Sequence, residues 1–147
     1  YVKKFKVKGF VLSGGEDFGV NKNRDKLEKF LIQFCTKNKF PLIGICRGLQ
    51  MIAKFNKIKL AKVSNHVAKR HLIENIKDKK KRTVNSFHNW KIIDCPKDYK
   101  ITHVSYDNLI EGIKHKYLPI IGFMWHPERE KKYHKDDIYQ FKKLFRF

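Results

Sequence analysis

The sequence predicts an α/β fold built on a parallel sheet. Two observations carry the prediction. Short apolar runs end in glycine-bearing turns, and helical spacings stand between those runs. Strand, helix, strand and helix follow one another through the first third of the 147-residue chain.

The first strand is Gly9-Phe10-Val11-Leu12, which ends at Ser13-Gly14-Gly15. Between Asp25 and Lys37, apolar residues recur at Leu27, Phe30, Leu31 and Phe34, the spacing of one helix face. Pro41 opens a second buried strand, Pro41-Leu42-Ile43-Gly44-Ile45, and residues 46–53 read as a helix beginning at its C-terminal end. The middle, residues 57–82, is irregular and very basic. Residues 83–86 read as a short strand, and residues 100–105 alternate like another. Residues 118–125 form an apolar strand that runs into His126-Pro127-Glu128. In residues 135–147, Ile138, Phe141, Leu144 and Phe145 lie at helical spacing and predict a helix packed on the sheet.

With 41% hydrophobic residues and twelve Phe, the chain can fill one core, so residues 1–147 are expected to form a single domain. No apolar run reaches the roughly 18–20 residues of a membrane span, and no signal-peptide pattern opens the chain. Three cysteines argue against a disulfide framework and for a reducing, cytoplasmic setting. The net charge of +20 attracts anions without saying which. The densest run, Lys77-Asp78-Lys79-Lys80-Lys81-Arg82, reads as a solvated loop. No zinc-finger spacing or aromatic single-strand platform accompanies it, so neither nucleic acid nor a membrane is an expected partner.

The chemistry concentrates in Gly44-Ile45-Cys46-Arg47-Gly48. A G-x-C-x-G between a strand and a helix reads as a nucleophile elbow with cysteine in place of serine. The glycines permit the sharp turn. The helix N-terminus is expected to stabilise a thiolate and lower its pKa, and the Arg47 N–H faces a developing oxyanion. Cys35 and Cys95 lack such surroundings and read as small hydrophobes. A nucleophilic cysteine needs a base and an orienter, and His126 and Glu128 supply both at another strand end. Ser13-Gly14-Gly15-Glu16-Asp17 offers backbone N–H groups to a ligand. His66, His71, His103, His115 and His134 fit no metal spacing, so no metal site is expected.

At these residues the chain resembles the class I glutamine amidotransferase superfamily, in its γ-glutamyl hydrolase branch. The matching pieces are Ser13 to Asp17, Arg24-Asp25-Lys26-Leu27-Glu28, Pro41 to Ile52, Val84-Asn85-Ser86-Phe87-His88, and Gly122 to Glu128. The resemblance implies a flavodoxin-like sheet, a Cys46–His126–Glu128 triad and an oxyanion hole of the Gly15 and Arg47 amides. It implies that Gly14, Gln50, Ser86, His88 and Asn89 bind the glutamyl group, although His88 also reads as a structural histidine. It implies no cofactor. The reaction would be attack by Cys46 on a γ-glutamyl amide and release of glutamate from a thioester.

Two departures stand out. The family's strand and helix ahead of the Gly-Gly strand have no counterpart, so the domain reads as N-terminally shortened. The family's Gly-Gly-Thr-Leu segment is replaced by Asn56-Lys57-Ile58-Lys59-Leu60-Ala61-Lys62, which makes the expected pocket more basic. That pocket suits a phosphorylated, nucleotide-linked γ-glutamyl compound, and the resemblance narrows it to γ-glutamyl-CDP-amidate in capsule polysaccharide modification, with lysines between Lys54 and Arg82 on the phosphates. Two alternatives stand beside this. One is a glutaminase subunit that feeds ammonia to a synthetase partner. The other is a non-catalytic binding module on the same fold.

Overall fold

A computed structural model describes residues 2–146. In chain order the elements are β1 (Phe10–Leu12), α1 (Lys22–Asn38), β2 (Leu42–Ile45), α2 (Arg47–Phe55), β3 (Leu60–Lys62), β4 (Val67–Asn75), β5 (Lys81–Phe87), β6 (Trp90–Ile92), β7 (Tyr99–Ser105), β8 (Ile110–His115) and β9 (Ile120–Phe123). A 3₁₀ turn (Pro127–Arg129) and α3 (Lys135–Phe145) follow. Seven strands form one sheet in the order β1-β2-β9-β8-β7-β4-β5, and β3 pairs with β6 in a second, two-stranded sheet.

The α/β class holds, with a mixed sheet. β1, β2 and β9 are parallel, whereas β8, β7, β4 and β5 add on antiparallel. β2 and β9 are buried on both faces, which explains their continuous apolar runs, whereas β1 is the edge strand and leaves Val11 exposed. Along β2 and β9, successive residues alternate between two cores. Leu42 and Ile120 join Leu49 and Ile52 of α2 and Ile32 of α1. Ile43 and Ile121 join Trp125 and Phe145 of α3 on the other face. No helix among the described residues is long and apolar enough to cross a membrane.

Helix α1 corrects its expected face. Leu27 and Phe30 are exposed, and the buried residues are Glu28, Ile32 and Cys35. Leu31 and Phe34 do pack against the core as expected, while a charged residue shares the inward stripe, because Glu28 binds the Arg47 guanidinium. The basic middle, irregular by sequence pattern, holds the nine-residue β4. The Lys77–Arg82 run lies around the β4–β5 turn. There Lys79 and Lys81 pair with Glu74 and Lys80 with Asp78, as a solvated turn would.

Candidate active site

Three chain segments leave the same edge of the sheet, at the C-terminal ends of β1, β2 and β9. Register aligns Leu12 with Gly44 and Ile45 with Phe123, so Gly14, Cys46 and His126 follow neighbouring strands within three residues of their ends. Open α/β sheets gather ligands at this edge.

The elbow after β2 is strained at the candidate nucleophile. Cys46 has φ 49° and ψ −105°, a conformation that non-glycine residues keep only when surroundings enforce it. Its N–H donates to the Phe123 carbonyl at 2.7 Å, and its carbonyl accepts from the Gln50 N–H at 3.0 Å. The flanking glycines serve close approach instead of unusual torsion. A Cβ on Gly48 would stand 2.1 Å from the Leu12 carbonyl oxygen, and one on Gly44 would stand 2.6 Å from the backbone of Gly48.

The thiol corrects a second expectation. Burial pushes Cys46 up to about 11, outweighing the lowering by the Arg47 N–H and by the Arg129 charge, while Glu111 and Glu128 add to the rise. The helix N-terminus therefore does not offset the burial, and a thiol so placed would need a base to take its proton before it could attack.

His126 fits that need. Its Nδ1 lies 2.6 Å from Oε1 of Glu128. A carboxylate accepts, so Nδ1 carries the hydrogen and Nε2 keeps its lone pair. That Nε2 is buried without a hydrogen-bond partner among the described residues. Burial raises the Glu128 carboxyl, but the bond from His126, the Glu128 N–H and nearby charges bring it below the ordinary carboxylate range. Glu128 thus stays ionised and holds the ring. Gly14 packs against the imidazole so closely that a Cβ would meet Cε1 at 2.5 Å.

Two arginines fix the Gly-Gly loop. Arg24 donates to the carbonyls of Ser13 at 2.8 Å and Gly14 at 3.0 Å, and its Nε binds Glu28 at 2.8 Å. Carbonyl and N–H oppose one another across a trans peptide, so the Gly15 N–H is turned away from Arg24. The buried Arg47 side chain binds Asp25 and Glu28, donates to the Glu16 carbonyl at 2.7 Å and lies over Phe18. Arg47 therefore ties elbow, loop and α1 together. Sequence reasoning misses its side-chain role and that of Arg24, although the motif Arg24-Asp25-Lys26-Leu27-Glu28 is a visible signal. Asn85 is likewise visible only as part of a motif. Its side chain is buried against His126 and Glu130.

The remaining candidates divide. Gln50 is buried one helical turn past Cys46 and donates to the Trp90 carbonyl at 3.1 Å. Trp90 Nε1 donates in turn to Asp17 at 3.2 Å. Asn89 is exposed. Ser86 and His88 are fully buried and their side chains are engaged elsewhere, Ser86 with the His66 carbonyl at 2.7 Å and His88 with the Trp90 carbonyl at 3.1 Å. His66, His71 and Glu111, for which sequence spacing suggests no common role, meet beside them. A cavity of about 550 Å³ opens next to Trp90, lined by Asp17, Phe18, Lys54, Lys57 and Lys59.

A family model for glutamine amidotransferase class-I matches residues 2–145. The chain is 41% identical over 133 residues to the gamma-glutamyl-CDP-amidate hydrolase of Campylobacter jejuni, covering 86% of this chain and 65% of that protein. It is 30% identical over 148 residues to a glutamine-hydrolyzing GMP synthase subunit of Thermococcus kodakarensis, covering 95% and 76%. The structure matches a GMP synthase subunit-like protein of Thermoplasma acidophilum with a TM-score of 0.81 at 25% identity, covering 95% of this chain and 73% of the other. The chain thus spans just under two thirds of the Campylobacter relative.

Proposed function

Because this chain belongs to the glutamine amidotransferase class-I family, we propose that it hydrolyses γ-glutamyl amide bonds through a thioester on Cys46. The observation that carries the reading is the His126–Glu128 pair. Its Nδ1 is held at 2.6 Å and its buried Nε2 is left free, with no hydrogen bond to the Cys46 sulfur, and the strained cysteine follows the strand next to its own.

Cys46 Sγ attacks the γ-carbonyl carbon as its proton passes to His126 Nε2. The N–H groups of Gly15 and Arg47 receive the oxyanion. The C–N bond breaks, and His126 returns the proton to the leaving nitrogen. Water, deprotonated by His126 Nε2, then cleaves the thioester, the proton passes on to the departing Cys46 sulfur, and glutamate is freed. Gln50 orders one wall through Trp90, Gly14 gives the ring room, and the segment Ser86-Phe87-His88-Asn89 shapes the glutamyl end. A free catalytic thiol suits a reducing compartment, which is the ground for placing the reaction in the cytoplasm.

The leaving group we assign is a nucleotide-linked amidate, with γ-glutamyl-CDP-amidate as the substrate and capsule modification as the setting. The identity to the Campylobacter hydrolase supports this, as does the cavity that carries Lys54, Lys57 and Lys59. Those ammonium groups suit phosphate oxygens. The likeness to the Thermococcus GMP synthase subunit favours a second reading, an ammonia-supplying subunit with a synthetase partner.

The test offers glutamine, γ-glutamyl-GABA and γ-glutamyl-CDP-amidate to the chain and to Cys46→Ala, and measures glutamate. Preference for the nucleotide compound, lost in Cys46→Ala, is the expected result. Weak release from glutamine alone points to the synthetase-linked reading, and no release from a folded chain overturns the hydrolase.

A further inference from the structure

Behind the Ser86–His88 segment lies a second cluster that the proposed hydrolysis does not use. His66 precedes β4, His71 lies on it, His88 follows β5 and Glu111 lies on β8. All four are buried, at 1%, 7%, 3% and 0% exposure. One donor atom each from His66, His71 and Glu111 lie within 4.8 Å of one another.

Hydrogen bonding fixes which atoms face inward. His66 Nε2 lies 3.0 Å from Asp107. The carboxylate accepts, so Nε2 carries the hydrogen, which in the neutral ring leaves the lone pair on Nδ1. His88 Nδ1 lies 3.1 Å from the Trp90 carbonyl, so its Nε2 is a lone pair too. The Ser86 hydroxyl spends its hydrogen on the His66 carbonyl at 2.7 Å and donates nothing to the ring. His66 Nδ1 and His88 Nε2 then face each other at 3.3 Å, with Glu111 carboxylate oxygens 3.5 Å from His88 Nε2 and from His71 Nε2. Both Glu111 oxygens and both His71 nitrogens lack a hydrogen-bond partner among the described residues.

The His66 and His88 lone pairs and the Glu111 carboxylate cannot satisfy one another, and burying them unpaired is costly. A hydrogen on His71 Nε2 would serve one Glu111 oxygen at 3.5 Å and still leave the facing lone pairs of His66 and His88 unpartnered. A single cation would partner one nitrogen of each histidine and the carboxylate together. Tetrahedral zinc holds nitrogen and oxygen donors at about 2.0–2.1 Å, which sets neighbouring donors about 3.3–3.5 Å apart. The separations of 3.3 and 3.5 Å match that spacing, the two Glu111 contacts being made by different carboxylate oxygens, while the His66, His71 and Glu111 donors spread to 4.8 Å and would draw together around the ion. Imidazole with carboxylate suits zinc among the common divalent metals.

We propose that His66, His71 and Glu111, with His88 as fourth donor, form a structural zinc site. Asp107 acts as its positioning residue, holding His66 in the required tautomer as carboxylates do behind metal-bound histidines. The ion would pin the loops before β4 and after β5 to β8. It would thereby fix the segment that borders the proposed glutamyl pocket.

The test strips the chain with a chelator, then titrates it with Zn²⁺ and with Co²⁺ while reading metal content by mass spectrometry, cobalt d–d absorption and fold by circular dichroism. Wild type and Cys46→Ala should each take up one equivalent, with tetrahedral cobalt bands and no thiolate charge-transfer band. Glu111→Gln and His71→Gln should lose that equivalent or bind it at least about 100-fold more weakly, and Asp107→Asn about 10- to 100-fold more weakly. Folded wild type that binds neither ion overturns the site. So does a thiolate band, or unchanged affinity in both ligand variants. If those variants fail to fold, uptake and cobalt spectrum of wild type decide. Glutamate release enters none of these readings, so loss of the zinc site and loss of the hydrolase are separate results.

Discussion

The Asn85 carboxamide grips the main chain of His126 from both sides. The His126 N–H donates to Asn85 Oδ1 at 2.9 Å, and Asn85 Nδ2 donates to the His126 carbonyl at 2.8 Å. The same Nδ2 donates to Glu130 at 2.9 Å. The proposed base is therefore placed by β5 as well as by its own strand.

Asn85→Ala removes both bonds and leaves buried backbone groups unpaired. Unfolding in urea should show a loss of about 1–3 kcal/mol. Turnover at saturating substrate should fall about 10- to 100-fold, because small misplacements of a catalytic group have effects of that size. Unchanged turnover would show that β9 alone positions His126.

The Gly-Gly loop separates two effects. Arg24→Ala frees the carbonyls of Ser13 and Gly14, so the Gly15 N–H loses its fixed direction. Turnover should drop about 10- to 1,000-fold with little change in KM, up to the size expected for an oxyanion donor. Gly14→Ala should abolish turnover, because its methyl meets the His126 ring at 2.5 Å. Steady-state kinetics on folded variants checks both.

The Cys46 thiol predicts a pH profile. Burial raises it from 9.0 to about 11, so folding favours the protonated form and the resting chain holds a thiol at neutral pH. Alkylation of Cys46 by iodoacetamide, followed by peptide mapping, should climb roughly tenfold per pH unit between about pH 8 and 10. A plateau near neutrality would contradict this. The stabilising contribution is complete below pH 9 and is lost as pH rises towards 11, because the unfolded thiol ionises first. Its size is about 2–3 kcal/mol, seen as a shallower alkaline fall in the urea midpoint of Cys46→Ala.

The basic cavity makes a prediction about substrate. Replacing Lys57 and Lys59 with Ala should raise KM for γ-glutamyl-CDP-amidate about tenfold or more, while leaving glutamine turnover nearly unchanged. Added salt should mimic the substitution, since exposed charges are screened. Equal effects on both compounds would remove the phosphate reading.

What can be read from sequence follows the physics of burial. β2 and β9 are buried on both faces and, with the apolar edge strand β1, stand out as plain apolar runs, so they and the chemistry at their ends are legible. β4 and β8 are not. Each turns a polar residue inward, His71 on β4 and Glu111 on β8, and this breaks the alternation that marks a strand. The same inward residues make the second cluster, so its geometry is hidden along with the strands. α1 misleads in a similar way, because Glu28 faces in toward Arg47 while Leu27 and Phe30 face out. At the elbow the motif is legible, but the net pKa is not. It depends on how deeply the tertiary fold buries Cys46.

The central claim is a γ-glutamyl thioester on Cys46. The most direct measurement is acid-quenched turnover of γ-glutamyl-CDP-amidate, with intact-mass analysis and peptide mapping of the trapped protein. A γ-glutamyl adduct on the Cys46 peptide, absent from Cys46→Ala, is the predicted result. Glutamate release that persists in Cys46→Ala would contradict it.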